Sequence, residues 1–262
     1  MAYSAYCDYP TLVSWNCEYC NTDKNLGKIV PKYYAIKTTS NGFALVAQRD
    51  NTIIVSFRGT QPTNLDNLFT DLKMIMVPFN DTKPDVKVHS GFLKLYLDLK
   101  PQVESAIRSL MEACPHCDHL EVTGHSLGGS LATLMVYDLY PSVFNKKLSF
   151  YTFGSPRVGN QEFVNDFVAK IGDNINHIWR MVEGTDIIPQ FPQYLLGYRH
   201  LPHEVWLEKE GGIKNICLGI DEEKCQRSLP FIRLGIRAHS NYFGISSMFC
   251  DKSDYPILSI GK

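Results

Sequence analysis

Residues 119–140 read HLEVTGHSLGGSLATLMVYDLY, and the order of structure within this stretch decides the fold. Leu120 to Thr123 alternate as a short strand does. Leu131, Leu134 and Met135 recur at helical spacing, with no proline until Pro141. Between strand and helix lies Gly124-His125-Ser126-Leu127-Gly128, a G-x-S-x-G that turns the chain so sharply that the serine is lifted above the sheet edge. Side chains at Gly124 and Gly128 are expected to collide with the neighbouring strand and helix. The first turn of the helix offers free N–H groups to a developing anion. A bare G-x-S-x-G is common by chance; a strand before it and a helix after it make Ser126 the candidate nucleophile.

Outward from this elbow, strands alternate with helices. Upstream, Tyr33 to Lys37 and Gly42 to Gln48, joined by Ser-Asn-Gly, predict a hairpin. Thr52 to Phe57 (TIIVSF) is a nearly continuous apolar run, as in a strand buried on both faces. Lys73 to Phe79 and Val86 to His89 read as short strands. Phe92, Tyr96, Leu99, Val103 and Leu110 keep helical spacing, with Pro101 expected to kink or break that helix. Downstream, Lys147 to Phe153 and Ile175 to Val182 read as strands, with a helix from about Asn160 between them and a further strand at His203 to Leu207. Residues 1–28 read as a short helix and loop wrapping the body. The pattern predicts one α/β domain over 1–262 with a mostly parallel central sheet flanked by helices.

A serine hydroxyl needs a base to take its proton, usually a His held by a carboxylate. Downstream of this kind of elbow the order is Ser, then Asp or Glu, then His. That order removes His89, His116 and His119. His125 sits inside the elbow, where a packing role is expected, and His177 precedes any suitable acid loop. Of the remaining histidines, His203 begins a strand and His200 is the runner-up. His239, in Ala-His-Ser-Asn-Tyr-Phe-Gly, is preferred because a late loop can arch over the sheet edge. Among acids, Asp138 lies on the helix after the serine, and Asp166 and Asp173 on the next. Asp186 follows a strand and a Gly-Thr turn, where strand C-termini line α/β sites. Glu183 is its near competitor, expected to be exposed and solvated. Oxyanion donors are expected from the backbone N–H of Leu127 and from the Gly59-Thr60 loop after TIIVSF.

The formal net charge of −1 and the lack of a basic block argue against nucleic acid as a partner. The longest apolar runs fall short of the ~18 residues of a membrane span. MAYSAYCDYP has no signal-peptide pattern, so the chain reads as either cytosolic or a mature secreted form with an added Met. Eight cysteines, an even count partly in C-x-x-C pairs, favour secretion and disulfides. Zinc at Cys17/Cys20 and Cys114/Cys117 is one rival. A redox role for Cys114-Pro115-His116-Cys117 is another, although that motif closes a helix rather than opening one. Asn80-Asp81-Thr82 is the one glycosylation sequon.

Nine stretches, in order over nearly the whole chain, resemble the fungal-type class 3 lipases secreted by moulds. They are AYC near the start, WNCEYC, SFRGT, KVHSGFL, VTGHSLGG, YTFGSPRVGN, VEGTDIIPQFP, GYRH and the late HSNYFG. The resemblance implies an α/β-hydrolase fold, a triad of Ser126, Asp186 and His239, and an oxyanion hole of Thr60 and Leu127, with the Thr60 hydroxyl oriented towards Asp71. It pairs Cys7 with Cys250, Cys17 with Cys20 and Cys217 with Cys225. Cys114 and Cys117 have no counterpart in the mould pattern and are expected to form an added bridge. Residues 61–72 fall where the family carries its lid, and Leu65, Leu68, Phe69 and Leu72 form an apolar stripe suited to covering an acyl groove. The spacing fits a core-facing helix equally well; position in the family favours the lid, although the Trp often found there is missing.

The expectation is therefore a secreted, monomeric triacylglycerol lipase that needs no cofactor or metal and meets its lipid or ester substrate at a lipid–water interface. Alternatives are an esterase for feruloyl esters, mono- or diacylglycerols or phospholipids, and a non-catalytic lipid-binding relative.

Overall fold

The structure, a computed structural model, describes residues 1–20, 29–37, 42–61, 74–208, 211–246 and 250. In chain order its main elements are a short helix α1 (Tyr9–Val13), strands β1 (Ile29–Lys37), β2 (Gly42–Arg49) and β3 (Thr52–Phe57), and the small pair β4 (Met76–Pro78) and β5 (Lys87–His89). Next come α2 (Ser90–Ala113), β6 (His119–His125), α3 (Leu127–Leu139), β7 (Lys147–Phe153), α4 (Gln161–Ile171) and β8 (Ile178–Glu183). The chain then forms β9 (Glu204–Leu207) and β10 (Ile213–Cys217), followed by a small hairpin of β11 (Asn241–Tyr242) and β12 (Ile245–Ser246).

Eight strands form one sheet in the order β1-β2-β3-β6-β7-β8-β9-β10. The four pairings from β3 to β9 are parallel and the flanking ones antiparallel. β3 lies inside the sheet and all six of its residues are buried, which is why TIIVSF shows no alternation. Elsewhere the period of two sorts the faces. Ala44, Val46, Leu120, Val122, Leu148 and Phe150 pack with the apolar sides of α2, α3 and α4. Phe43 and Leu45 turn to the opposite face, under Ala5, Leu12 and the N-terminal cysteines. The long helices therefore cover one face, and the N-terminal segment covers part of the other.

Three expectations are corrected. α2 runs through Pro101 without a break. Pro101 is exposed, as is Leu97 one turn earlier, so water can satisfy the carbonyl that the missing N–H leaves unpaired. β8 begins at Ile178 rather than Ile175, because residues 172–177 form a 3₁₀ turn rich in Asp and Asn. The short strands near the sequon are Met76–Pro78 and Lys87–His89, paired antiparallel. Cys7 pairs with Cys250, Cys17 with Cys20, Cys114 with Cys117 and Cys217 with Cys225, so every cysteine is bridged. Both C-x-x-C motifs close on themselves rather than presenting thiolates. No helix among the described residues is long and apolar enough to cross a membrane.

Candidate active site

β6 ends at His125, and Ser126 turns the chain into α3 with φ +59° and ψ −133°, a conformation rarely adopted by a residue with a Cβ. Two backbone bonds hold it there: the Ser126 N–H donates to Phe153 O at 2.9 Å, and the Gly129 N–H donates to Ser126 O at 2.9 Å. Gly128 permits the turn, since a Cβ on it would run into the carbonyl oxygen of Phe57 on β3. Ser126 is fully buried, and its Oγ has no hydrogen-bond partner among the described residues.

Two chain segments bring an acid and a base to the same end of the sheet. Asp186 lies in the turn after β8, where its N–H donates to Glu183 O at 2.8 Å. Its Oδ1 accepts from the Ile188 N–H at 2.9 Å; its Oδ2 accepts from Tyr242 Oη at 2.6 Å and from His239 Nδ1 at 2.8 Å. Because a carboxylate only accepts, Nδ1 is the donor in this contact, so in the neutral imidazole it is Nε2 that carries the lone pair. Nε2 is buried and, among the described residues, unpartnered, as Ser126 Oγ is. The Tyr242 hydroxyl is kept protonated by burial first and then by the charge of Asp186, so it acts as a donor. A Cβ on Gly154 would stand 2.7 Å from Asp186 Oδ2, 2.8 Å from Tyr242 Oη and 2.9 Å from His239 Cε1. Gly154 therefore forms the floor beneath this pair.

The other side of the serine is built from the loop after β3. A Cβ on Gly59 would lie 2.9 Å from Ser126 Cβ, so the Gly59-Thr60 loop abuts the elbow. Thr60 is half-buried, and Leu127 opens α3. A chain of hydrogen bonds fixes this loop. The Gly59 N–H donates to Tyr6 Oη at 3.1 Å, Tyr6 Oη meets His125 Nδ1 at 2.8 Å, and His125 Nε2 meets the carbonyl of His239 at 2.8 Å. The carbonyl can only accept, which puts the His125 proton on Nε2 and makes Tyr6 the donor to Nδ1. Burial first, and then the cost of placing a second positive charge beside the His239 ring, hold His125 neutral, well below the usual histidine range. His125 also stacks on His239 with ring centroids 4.4 Å apart. It thus couples the elbow to the base loop instead of merely packing.

The rejected candidates have other partners. His200 is buried with Nε2 on Pro189 O, and His203 Nδ1 meets Ile178 O. Asp138 accepts from Tyr96 and pairs with Lys100, Asp166 binds Lys83 and Tyr137, and Asp173 is exposed. Glu183 corrects the expectation of a solvated side chain: it is buried, and burial followed by the charge of Asp186 raises its pKa to about 7. Leu65, Leu68, Phe69, Leu72 and Asp71 lie outside the described residues. Sequence reasoning missed Tyr6, Tyr242 and Gly154. All three stood within quoted motifs: Tyr6 in AYC, Gly154 in YTFGSPRVGN and Tyr242 in HSNYFG. No local pattern marked Gly154 as the floor of the acid–base pair.

A family model for class 3 lipases matches residues 54–195. A lipase of Rhizopus niveus is 33% identical over 243 residues, 90% of this chain and 59% of that protein. The secreted mono- and diacylglycerol lipase 1 of Fusarium solani is 31% identical over 254 residues, 92% of this chain and 72% of that protein. The chain thus spans 59% of the length of the Rhizopus niveus relative. Among solved structures, the lipase from Rhizopus microsporus var. chinensis matches with a TM-score of 0.81 at 30% identity, covering 94% of this chain and 85% of that one. The Rhizomucor miehei triacylglyceride lipase matches with a TM-score of 0.77 at 28% identity, covering 94% and 92%.

Proposed function

The chain belongs to the class 3 lipase family, and we propose that it is a secreted carboxylic-ester hydrolase that cleaves acylglycerols through an acyl-enzyme on Ser126. The observation that carries this reading is the 2.8 Å bond from His239 Nδ1 to a fully buried Asp186 beside a G-x-S-x-G elbow. In the proposed reaction His239 Nε2 takes the Ser126 proton as Oγ attacks the ester carbonyl. The N–H groups of Thr60 and Leu127 hold the resulting oxyanion. His239 then protonates the departing alcohol, and a water activated by the same imidazole releases the fatty acid. Asp186 fixes the imidazole tautomer and stabilises its charged form.

Triacylglycerol is the preferred substrate, supported by the likeness to the Rhizomucor miehei triacylglyceride lipase. Mono- and diacylglycerol form the second reading, supported by the Fusarium solani relative named for them. Secretion is supported by the four disulfides and by that relative's name. Residues 61–72 are proposed as a lid within a single domain. Hydrolysis rates on emulsified tri-, di- and monoacylglycerol, phospholipid and methyl ferulate test the reading. Triacylglycerol is expected to be fastest, with a rise in rate as the substrate crosses into emulsion. A preference for methyl ferulate or phospholipid would overturn the acylglycerol assignment, and no rise at the emulsion boundary would overturn the lid.

A further inference from the structure

We propose that Gln226, set in place by the Cys217–Cys225 disulfide loop, is a positioning residue for Asp186. This rests on Asp186 being the acid of the site. The carboxylate of Asp186 is gripped from the active-site side by Ile188 N–H, Tyr242 and His239. Its main chain is held separately: the buried Gln226 side chain donates Nε2 to the Asp186 carbonyl. Gln226 Oε1 in turn accepts from Gln190 Nε2 at 2.5 Å. One glutamine therefore ties residue 186 to residue 190 across the acid turn. The task needs a donor and an acceptor on the same side chain: Glu would bring no donor when ionised, and Lys no acceptor.

The position of Gln226 is fixed by what precedes it. Cys225 is bonded to Cys217, which ends β10 opposite Glu204 on β9. The Gln226 N–H donates to Glu204 Oε1 at 3.0 Å, and Glu204 Oε2 pairs with Arg180 on β8 at 2.9 Å. Within the bridged loop, buried Asp221 accepts from Arg157 Nε and Nη2 at 3.0 and 2.8 Å. Arg157 Nη1 donates to the carbonyls of Gln190 and Pro192 at 2.8 and 3.2 Å. The loop at 217–226 thus holds the segment from Asp186 to Pro192 at both ends and anchors it to the sheet. Triad geometry tolerates little drift, so loosening this clamp is expected to slow the chemical step more than substrate binding.

The test uses Gln226→Leu, Cys217→Ser/Cys225→Ser and Gln190→Leu enzymes on soluble p-nitrophenyl butyrate. Active sites are counted by stoichiometric fluorophosphonate labelling, so misfolded protein drops out of the rate. For Gln226→Leu and the double Ser variant, kcat per labelled site is expected to fall about tenfold with KM within about twofold of wild type. Gln190→Leu, which removes the donor to Gln226 Oε1 together with a 3.4 Å contact to Arg157 Nη2, is expected to give roughly a threefold fall in kcat. A Gln226 that merely supports the fold would lower the melting temperature and the number of labelled sites while leaving kcat per site unchanged, and that result overturns the proposal. If Gln226→Leu does not fold, an unchanged kcat in Gln190→Leu overturns it instead. Asp186→Asn in the same assay separates the two readings. Full activity there sinks the acid assignment itself, whereas an inactive Asp186→Asn beside an unimpaired Gln226→Leu sinks the positioning role alone.

Discussion

Gly154 has no polar side chain to contribute, yet its missing Cβ is what lets Asp186, Tyr242 and His239 meet. Its φ of +58° adds a second reason for glycine. Gly154→Ala is therefore expected to cut kcat at least tenfold, roughly what displacement of a triad contact costs, with the loss read in steady-state rates on a soluble ester. Glu183 makes a different prediction. Its folded pKa of about 7 lies above the 4.5 of a free glutamate, so the fold favours its neutral form. That contribution to stability is complete below about pH 4.5 and is lost as pH rises through 7. Glu183→Gln should then be more stable than wild type at pH 8 by on the order of 1–2 kcal/mol, with the gap closing towards pH 4.5. Urea unfolding at the two pH values reads this directly; a gap independent of pH would contradict it.

At the scale of elements, legibility followed the range of the interaction. β3 and β7 were readable to their ends because burial on both faces, or alternation between faces, is written in adjacent residues. The order Ser, acid, His after such an elbow narrowed the expected partners, and the structure joins two of the preferred ones, Asp186 and His239, by a 2.8 Å hydrogen bond. The continuity of α2 was not, since it depends on which face Pro101 occupies once the helix docks. Restoring that N–H in Pro101→Ala is expected to raise stability by about 1 kcal/mol, checked by thermal melting. The N-terminal segment was readable as a wrapping loop but not as part of the site, because Tyr6 meets Gly59 and His125 across 53 and 119 residues of chain. Tyr6→Phe removes the hydroxyl that bridges the Gly59 N–H and His125. Its kcat is expected to fall roughly tenfold while the number of fluorophosphonate-labelled sites stays at wild type, since the Gly59-Thr60 loop, the proposed oxyanion side, loses its anchor. An unchanged kcat would show that the loop holds its place without Tyr6.

Across the whole molecule, the candidate site is assembled from sequence-distant pieces: an elbow at the centre of the sheet, the Asp186 turn two crossovers later, and the His239 loop with an N-terminal strap behind it. The Cys7–Cys250 bridge spans 243 residues and fastens the chain beside Tyr6 to the segment beyond the base loop. A loop of that size gives about 5 kcal/mol of stabilisation in the chain-entropy picture. Cys7→Ser/Cys250→Ser should lower the melting temperature markedly and, through Tyr6, reduce activity in the fraction that remains folded. The proposed function makes Ser126 an ester-hydrolysing nucleophile activated by His239 and Asp186. Its most direct measurement is intact-protein and peptide mass spectrometry after treatment with an alkyl fluorophosphonate. One covalent phosphonate per chain, located on Ser126 and absent from Ser126→Ala, with near-complete loss of labelling in His239→Ala, is the predicted result. A chain that stays unlabelled while folded, or a label on another residue, would contradict it.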